Sequence, residues 1–199
     1  MINATHPPKI LVLAGSARLD SVNRKLARQA VEALRHAGVE ATLADLRDFP
    51  MPIYDGDLEA GEGIPPKAKA LKELARAHDG FAIASPEYNG SFPALLKNAL
   101  DWISRPEPGE RPLEVFRGKV AAILSASPGP GGGSRGLHQL RELLEMMSVS
   151  VIPRELAIAR ASGAFDDAGR LIRAEDVTGL QELASDLAHA AVHQQEAAV

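Results

Sequence analysis

The sequence predicts an open α/β fold, a doubly wound five-stranded parallel sheet in the order 2-1-3-4-5. Three observations predict it. Continuous apolar runs, such as the one from Lys9 to Ala14, have the pattern of parallel strands covered on both faces. Stretches with apolar residues at helical spacing alternate with those runs. The turn after the first strand, Gly15 to Asn23, holds one glycine instead of Gly-x-Gly-x-x-Gly, so the five-strand order fits better than the six-strand dinucleotide fold.

A single domain spanning 1–199 is expected, with flexible ends at 1–8 and 195–199. Lys9 to Ala14 is the first strand. Leu26, Ala30, Ala33, Leu34 and Ala37 follow at helical spacing, and Gly38 ends that helix. Val39 to Leu46 is the second strand. Asp48 to Pro65, rich in Pro, Gly and acid, reads as a long loop without repeating structure. Pro66 to Ala77 is the second helix and Phe81 to Ala84 the third strand, which halts at Ser85-Pro86 because proline cannot continue a ladder. Ser91 or Asn89 is expected to cap the third helix, Phe92 to Ser104, with Pro93 in its first turn. Trp102 lies beside that helix's apolar stripe and reads as packing at a core edge or subunit contact. Arg105 to Arg117 is a second Pro-rich loop. Lys119 to Ala126 is the fourth strand, ending in Ser127-Pro-Gly-Pro-Gly-Gly-Gly133. Leu137, Leu140, Leu143, Leu144 and Met147 mark the fourth helix, and Val149 to Ile158 the fifth strand. Phe165 to Ile172 has turn chemistry at its centre and is expected to cap the sheet as a small hairpin. Leu180, Leu183, Leu187 and Ala191 mark the last helix.

Composition removes several function classes. A net charge of −4 leaves no basic footprint for nucleic acid and no polybasic patch for a membrane. No apolar stretch approaches a membrane span and Met1 to Lys9 lacks the apolar core of a signal peptide, so a cytoplasmic location is expected. The absence of cysteine excludes disulfides, iron–sulfur clusters, thiolate zinc sites and cysteine nucleophiles. His189 and His193 are four apart, but no glutamate follows His189, and no metal site is expected.

In the order 2-1-3-4-5 the first and third strands meet at the switch point, and the loops after Ala14, Ala84 and Ala126 fall at one edge of the sheet. The first loop combines Ser16, Ser21 and Asn23 with Arg18 and opens a helix. Free N–H groups, hydroxyls and a guanidinium suit a terminal phosphomonoester. The second loop would lie beside the ring system that follows the phosphate. Pro86 adds rigidity, backbone N–H groups from Glu87 to Asn89 could meet ring carbonyls and nitrogens, and Tyr88 offers a flat face. Glu87 itself reads as a solvated charge. The third loop, Ser127 to Gly133, has little side chain to hold off a flat ligand.

Gly15-Ser-x-Arg-x-x-Ser-x-Asn23, Ser85-Pro-Glu-Tyr-Asn-Gly-Ser-x-Pro93 followed by Leu96-Lys-Asn-Ala-x-Asp-Trp102, and Ala126-Ser-Pro-Gly-x-x-Gly-Gly-Ser-Arg135 together resemble the NADPH-dependent FMN reductase family, over about residues 9–187. This is a flavodoxin-like group that includes chromate, quinone and azo-dye reductases. The resemblance implies that Ser16, Arg18, Ser21 and Asn23 hold the FMN phosphate. It implies that Pro86, Glu87, Tyr88, Asn89 and Gly90 border the isoalloxazine, and that Ser127, Gly129 and Gly132 flank it from the other side. Val22 departs from the family, many of whose members carry an aromatic residue there. The implied activity passes a hydride from NADPH or NADH to FMN, and two electrons on to a small acceptor: quinone, chromate, azo dye or free flavin. No protein acid or base is obligatory, because the cofactor carries the chemistry. A homodimer or homotetramer is implied, with the Asp48–Pro65 loop and Trp102 as contact material. Arg18, Arg105 and Arg111 are candidates for a 2′-phosphate. The alternative is a flavodoxin-type electron carrier or a non-catalytic flavin sensor. Carriers are usually more acidic and clasp the ring between aromatics, which are 4% of this chain.

Overall fold

Side chains alternate along a strand, so an apolar run in a central strand needs cover on both sides. The computed structural model, which describes residues 6–197, has that cover. The strands β1 (Lys9–Ala14), β2 (Glu40–Asp45), β3 (Gly80–Ala84), β4 (Lys119–Ala126) and β5 (Val149–Val151) pair in parallel in the order β2-β1-β3-β4-β5. This is the predicted order. One face buries Ile10, Val12, Ala82, Ala122 and Leu124 against α1 (Val22–His36) and α6 (Ala174–Ala197). The other buries Leu11, Leu13, Phe81, Ile83 and Ile123 beneath α3 (Pro66–Arg76), α4 (Ala94–Ile103) and α5 (Ser134–Met146). Among the described residues no helix is long and apolar enough to cross a membrane.

These expectations are corrected. The fifth strand is two short pieces. β5 pairs with the start of β4 (Lys119↔Val149) and β6 (Leu156–Ile158) with its end (Leu124↔Leu156). The offset grows from 30 to 32, so two residues bulge out around Pro153, which has no N–H to give the ladder. The predicted Asp48–Pro65 loop contains a helix, α2 (Gly56–Glu62), capped by Asp55 Oδ1, which accepts from Asp57 N at 2.8 Å. Its start signal, an aspartate cap before acids in the first turn, was present but outweighed by the surrounding Pro and Gly. α4 begins at Ala94 with no side-chain cap, because Asn89 and Gly90 form a tight turn instead. The C-terminal end is helical through Ala197, and Gln195 Nε2 donates to Asp79 Oδ2 at 3.1 Å. At the other end Pro8 is already buried; residues 1–5 and 198–199 lie outside the described residues. The predicted 165–172 hairpin reduces to one antiparallel bridge, Phe165↔Leu171, whose apolar residues pack on the α1 and α6 face.

The two Pro-rich stretches are held by side chains of the helices they pass. Asn98 of α4 accepts from Tyr54 N at 2.8 Å and donates to Pro52 O at 2.9 Å, and Trp102 Nε1 donates to the same carbonyl at 2.8 Å. Trp102 is 0% exposed and stacks edge-on with Tyr54, so it packs inside its own chain and is not available as a subunit contact. Arg105 Nε donates to Glu59 of α2 at 2.9 Å and its guanidinium lies over the Tyr54 ring. Lys72 of α3, 1% exposed, donates to Arg105 O at 2.7 Å and to Glu110 Oε2 at 2.5 Å, while Arg76 pairs with the other Glu110 oxygen. Burial works to raise the Glu110 pKa. The Glu107 N–H, Lys72 and Arg76 outweigh it and hold the carboxyl at about 2.

Glu110→Gln leaves Lys72 buried beside a neutral amide and should lower stability by about 2–3 kcal/mol at pH 7. A depressed carboxyl contributes stability that is complete above about pH 4.5 and lost as pH falls toward about 2. Urea unfolding at pH 7 and pH 3 should therefore show the gap between wild type and variant narrowing in acid; a constant gap would contradict the assignment.

Candidate functional site

The three predicted loops leave the sheet at one level because the ladder runs one residue past the strands. Gly15 N donates to Ala84 O at 2.9 Å, Ser85 N to Leu124 O at 2.8 Å and Ser127 N to Ile158 O at 3.1 Å. Between them lies a cleft of about 70 Å³. Ser16, Arg18, Ser21, Val22 and Asn23 line it from the first loop, Pro86, Glu87 and Tyr88 from the second, and Ala126, Ser127 and Pro128 from the third. Eight of the predicted residues thus come together. Asn89, Gly90, Gly129 and Gly132 are not on the wall of the cleft.

In the first loop Ser21 caps α1, its Oγ accepting from Arg24 N at 3.4 Å, and Ser16 Oγ accepts from Arg18 N at the same length. Both are long bonds that an incoming acceptor could replace. The α1 N–H groups of Val22 and Asn23 have no acceptor among the described residues, and the first turn of α1 carries no acid. Arg18 is exposed and makes no ion pair among the described residues. Arg24, which sequence reasoning missed, shapes the loop. It donates to Leu19 O at 3.0 Å and to Asp45 Oδ2 of β2 at 2.5 Å.

The Asn23 side chain is engaged within the protein. It is 2% exposed, its Nδ2 donates to Ala126 O at 2.8 Å, and its Oδ1 accepts from Ala126 N at 2.9 Å. The side chain is engaged at both ends and ties the start of α1 to the end of β4.

Glu87 is half-buried, not a solvated charge: its Oε2 accepts from Gly136 N at 3.2 Å, on the first turn of α5. A carboxylate there meets free N–H groups and the positive end of the helix. Pro86 is buried. Tyr88 is 48% exposed. Tyr88 and Ser91 form an antiparallel bridge closed by Asn89 (φ 53) and Gly90 (φ 82), the geometry that Asn-Gly adopts most readily in a two-residue turn.

In the third loop Ser127 Oγ accepts from Gly129 N at 3.3 Å, and the Gly129 carbonyl accepts from Arg160 N at 3.1 Å. The glycines at 132 and 133 answer to packing. A Cβ on Gly132 would lie 2.7 Å from the Ala157 carbonyl of β6, and one on Gly133 (φ 95) would lie 2.0 Å from Ser125 Oγ. That Ser125 hydroxyl is the one buried side-chain polar atom without a partner among the described residues. Of the three candidate 2′-phosphate arginines, Arg105 is bound to Glu59 and Arg111 to Glu114, which leaves Arg18.

The NADPH-dependent FMN reductase family profile matches residues 8–163. An NAD(P)H-dependent FMN reductase of Pseudomonas aeruginosa is 39% identical over 165 residues, covering 82% of this chain and 84% of its own. A quinone reductase of Escherichia coli is 37% identical over 145 residues, 72% of this chain and 73% of its own. Among solved structures, a flavoenzyme NAD(P)H:(acceptor) oxidoreductase from Paracoccus denitrificans superposes with a TM-score of 0.79 at 26% identity, covering 92% of this chain and 97% of its own.

Asn23→Ala strands both backbone groups of Ala126 in a buried setting. It should lower the stability of the ligand-free protein by about 2–4 kcal/mol in denaturant unfolding. A residue that only met ligand would leave that midpoint unchanged.

Proposed function

The chain belongs to the NADPH-dependent FMN reductase family, and from that premise we propose that its sheet-edge cleft holds FMN and that the enzyme moves electrons from NAD(P)H to a small acceptor. The family uses FMN and NAD(P)H, and the chain is an oxidoreductase. FMN, when bound, would supply the chemistry, as hydride acceptor for the nicotinamide and two-electron donor for a quinone, chromate, an azo dye or free flavin. The observation that carries the reading is the set of unanswered donors at one spot. The Val22 and Asn23 N–H groups, the Ser16 and Ser21 hydroxyls and Arg18 come together on the first-loop side of the cleft, with no acid in the first turn of α1. These residues fit a doubly charged phosphate.

The ring belongs at the mouth. Sites for ligands of drug size occupy roughly 300–1,000 Å³, and the cleft has about 70 Å³. Only the phosphate end suits its interior. The isoalloxazine would cross the rim over Pro86 and Tyr88, with the Asn89 and Gly90 N–H groups, which have no acceptor among the described residues, beside its polar edge. The opposite rim is Ser127 and Pro128. Gly129 and Gly132 serve by shaping that rim, and Asn23 by holding it at the right distance from the first loop. Nicotinamide and acceptor would use the same surface of the bound ring in turn. With Arg18 on the FMN phosphate, none of the three candidate arginines is left for a 2′-phosphate, which favours use of both NADH and NADPH.

The whole chain is read as one FMN-binding domain that works as a homodimer or homotetramer. Ile53, 76% exposed between the anchored Pro52 and Tyr54, is the contact residue this reading nominates.

Arg18→Ala should weaken FMN about 10- to 100-fold in a fluorescence titration and leave riboflavin unchanged, because only the phosphate loses its charged partner. Equal loss for both flavins would place Arg18 elsewhere. Anaerobic NADPH should bleach the wild-type flavin and a quinone restore it; flavin that stays yellow would favour a carrier or sensor.

A further inference from the structure

The 88–91 turn takes its shape from Asn89-Gly90, but its placement comes from elsewhere. Among the described residues only one side chain outside the turn bonds to it. Gln139 of α5 donates through Nε2 to Gly90 O at 3.0 Å, and its Oε1 accepts from Ser91 Oγ at 2.5 Å. Gln139 lies three residues after Gly136, so both are on one face of the helix. Gly136 lets that face come close: a Cβ there would sit 3.4 Å from the Ser91 backbone and from Glu87 Cβ. Glu87 bonds to Gly136 N from the same side. α5 itself is immobilised by Leu137, Leu140 and Leu144 in the core and by Gly133 against Ser125. The helix is thus a fixed post, and Gln139 is the two-point clamp between post and turn.

We propose that Gln139 is a positioning residue for the flavin ring, resting on the reading of the cleft as an FMN site. The clamp holds the Asn89 and Gly90 N–H groups at the rim, where they meet the ring edge that gains electron density on reduction. It acts through the backbone and makes no contact with the phosphate loop. Loss of the clamp should therefore change how the ring is held without changing how the phosphate is held. This separates Gln139 from Arg18.

The test compares Gln139→Ala, Ser91→Ala and the double variant as FMN-loaded proteins. Gln139→Ala should weaken FMN and riboflavin alike, by about three- to tenfold. It should lower the midpoint potential of bound FMN, since fewer donors face the reduced ring, whereas Arg18→Ala should leave the potential in place. Adding Ser91→Ala to Gln139→Ala should cost nothing further, because both act through one clamp. Amide hydrogen exchange at Tyr88 and Ser91 should quicken in Gln139→Ala with or without flavin. Unchanged exchange and potential, or strictly additive effects, would overturn the clamp. Faster exchange with unchanged flavin affinity and potential would overturn the ring assignment and leave the clamp standing. Wild-type protein that binds no flavin would sink the FMN reading itself.

Discussion

Two hydrogen bonds from one carboxamide set the distance across which everything at the sheet edge is arranged. Asn23 grips both backbone groups of Ala126, a residue 103 positions away in the chain, and does so in a buried setting. β3 lies between β1 and β4, so this bond passes the start of α1 over the top of the middle strand. Apolar packing of α1 on Ala122, Leu124 and Ala126 of β4 brings the same two elements together, and this bond fixes their polar ends. With it, the free N–H groups of α1 and the Ser127–Pro128 rim face each other at a defined separation.

The second loop is set in a different way, by α5. Two glycines let this helix start close against β4 and β6, and a third lets its first turn touch the Glu87–Ser91 segment. Glu87 and Gln139 then bond across that contact. The glycine-rich third loop is therefore less an opening for a flat ligand than a means of bringing a helix near. Small residues permit close approach, and close approach permits short bonds between segments that side chains would otherwise keep apart.

A second set of anchors keeps the Pro-rich stretches in place. Asn98 and Trp102, part of the Leu96-Lys-Asn-Ala-x-Asp-Trp102 motif, hold Pro52 and Tyr54, while Lys72 and Glu110 secure the segment after α4. The motif has an architectural role: Asn98 and Trp102 meet particular backbone groups, Lys97 pairs with Asp101, and Leu96 and Ala99 pack in the core. Its buried indole and amide show how a family signature can mark architecture next to a site.

Much of this was legible in the sequence. Apolar runs and helical spacing identify the strands and helices, and a first turn with one glycine selects the strand order, since these are local patterns read one segment at a time. Ser16, Arg18, Ser21 and Pro86 could be chosen because their chemistry is carried by residue type and by position at a strand end. Roles that depend on a distant partner were out of reach. The tie of the Asn23 side chain to Ala126 is visible only once Ala126 is beside it. Glu87 reads as solvated until the α5 terminus arrives. Arg24, Gln139 and Ser125 carry no signal by themselves, and the α2 helix was hidden by the Pro and Gly around its cap. The sequence by itself determined which segments form the sheet and which loops meet at its edge, because burial and turn chemistry are properties of short stretches. Only the tertiary structure decided which polar groups in those loops are engaged with each other and which are left free for a ligand, because a hydrogen bond between residues far apart in the chain is settled by three-dimensional distance alone.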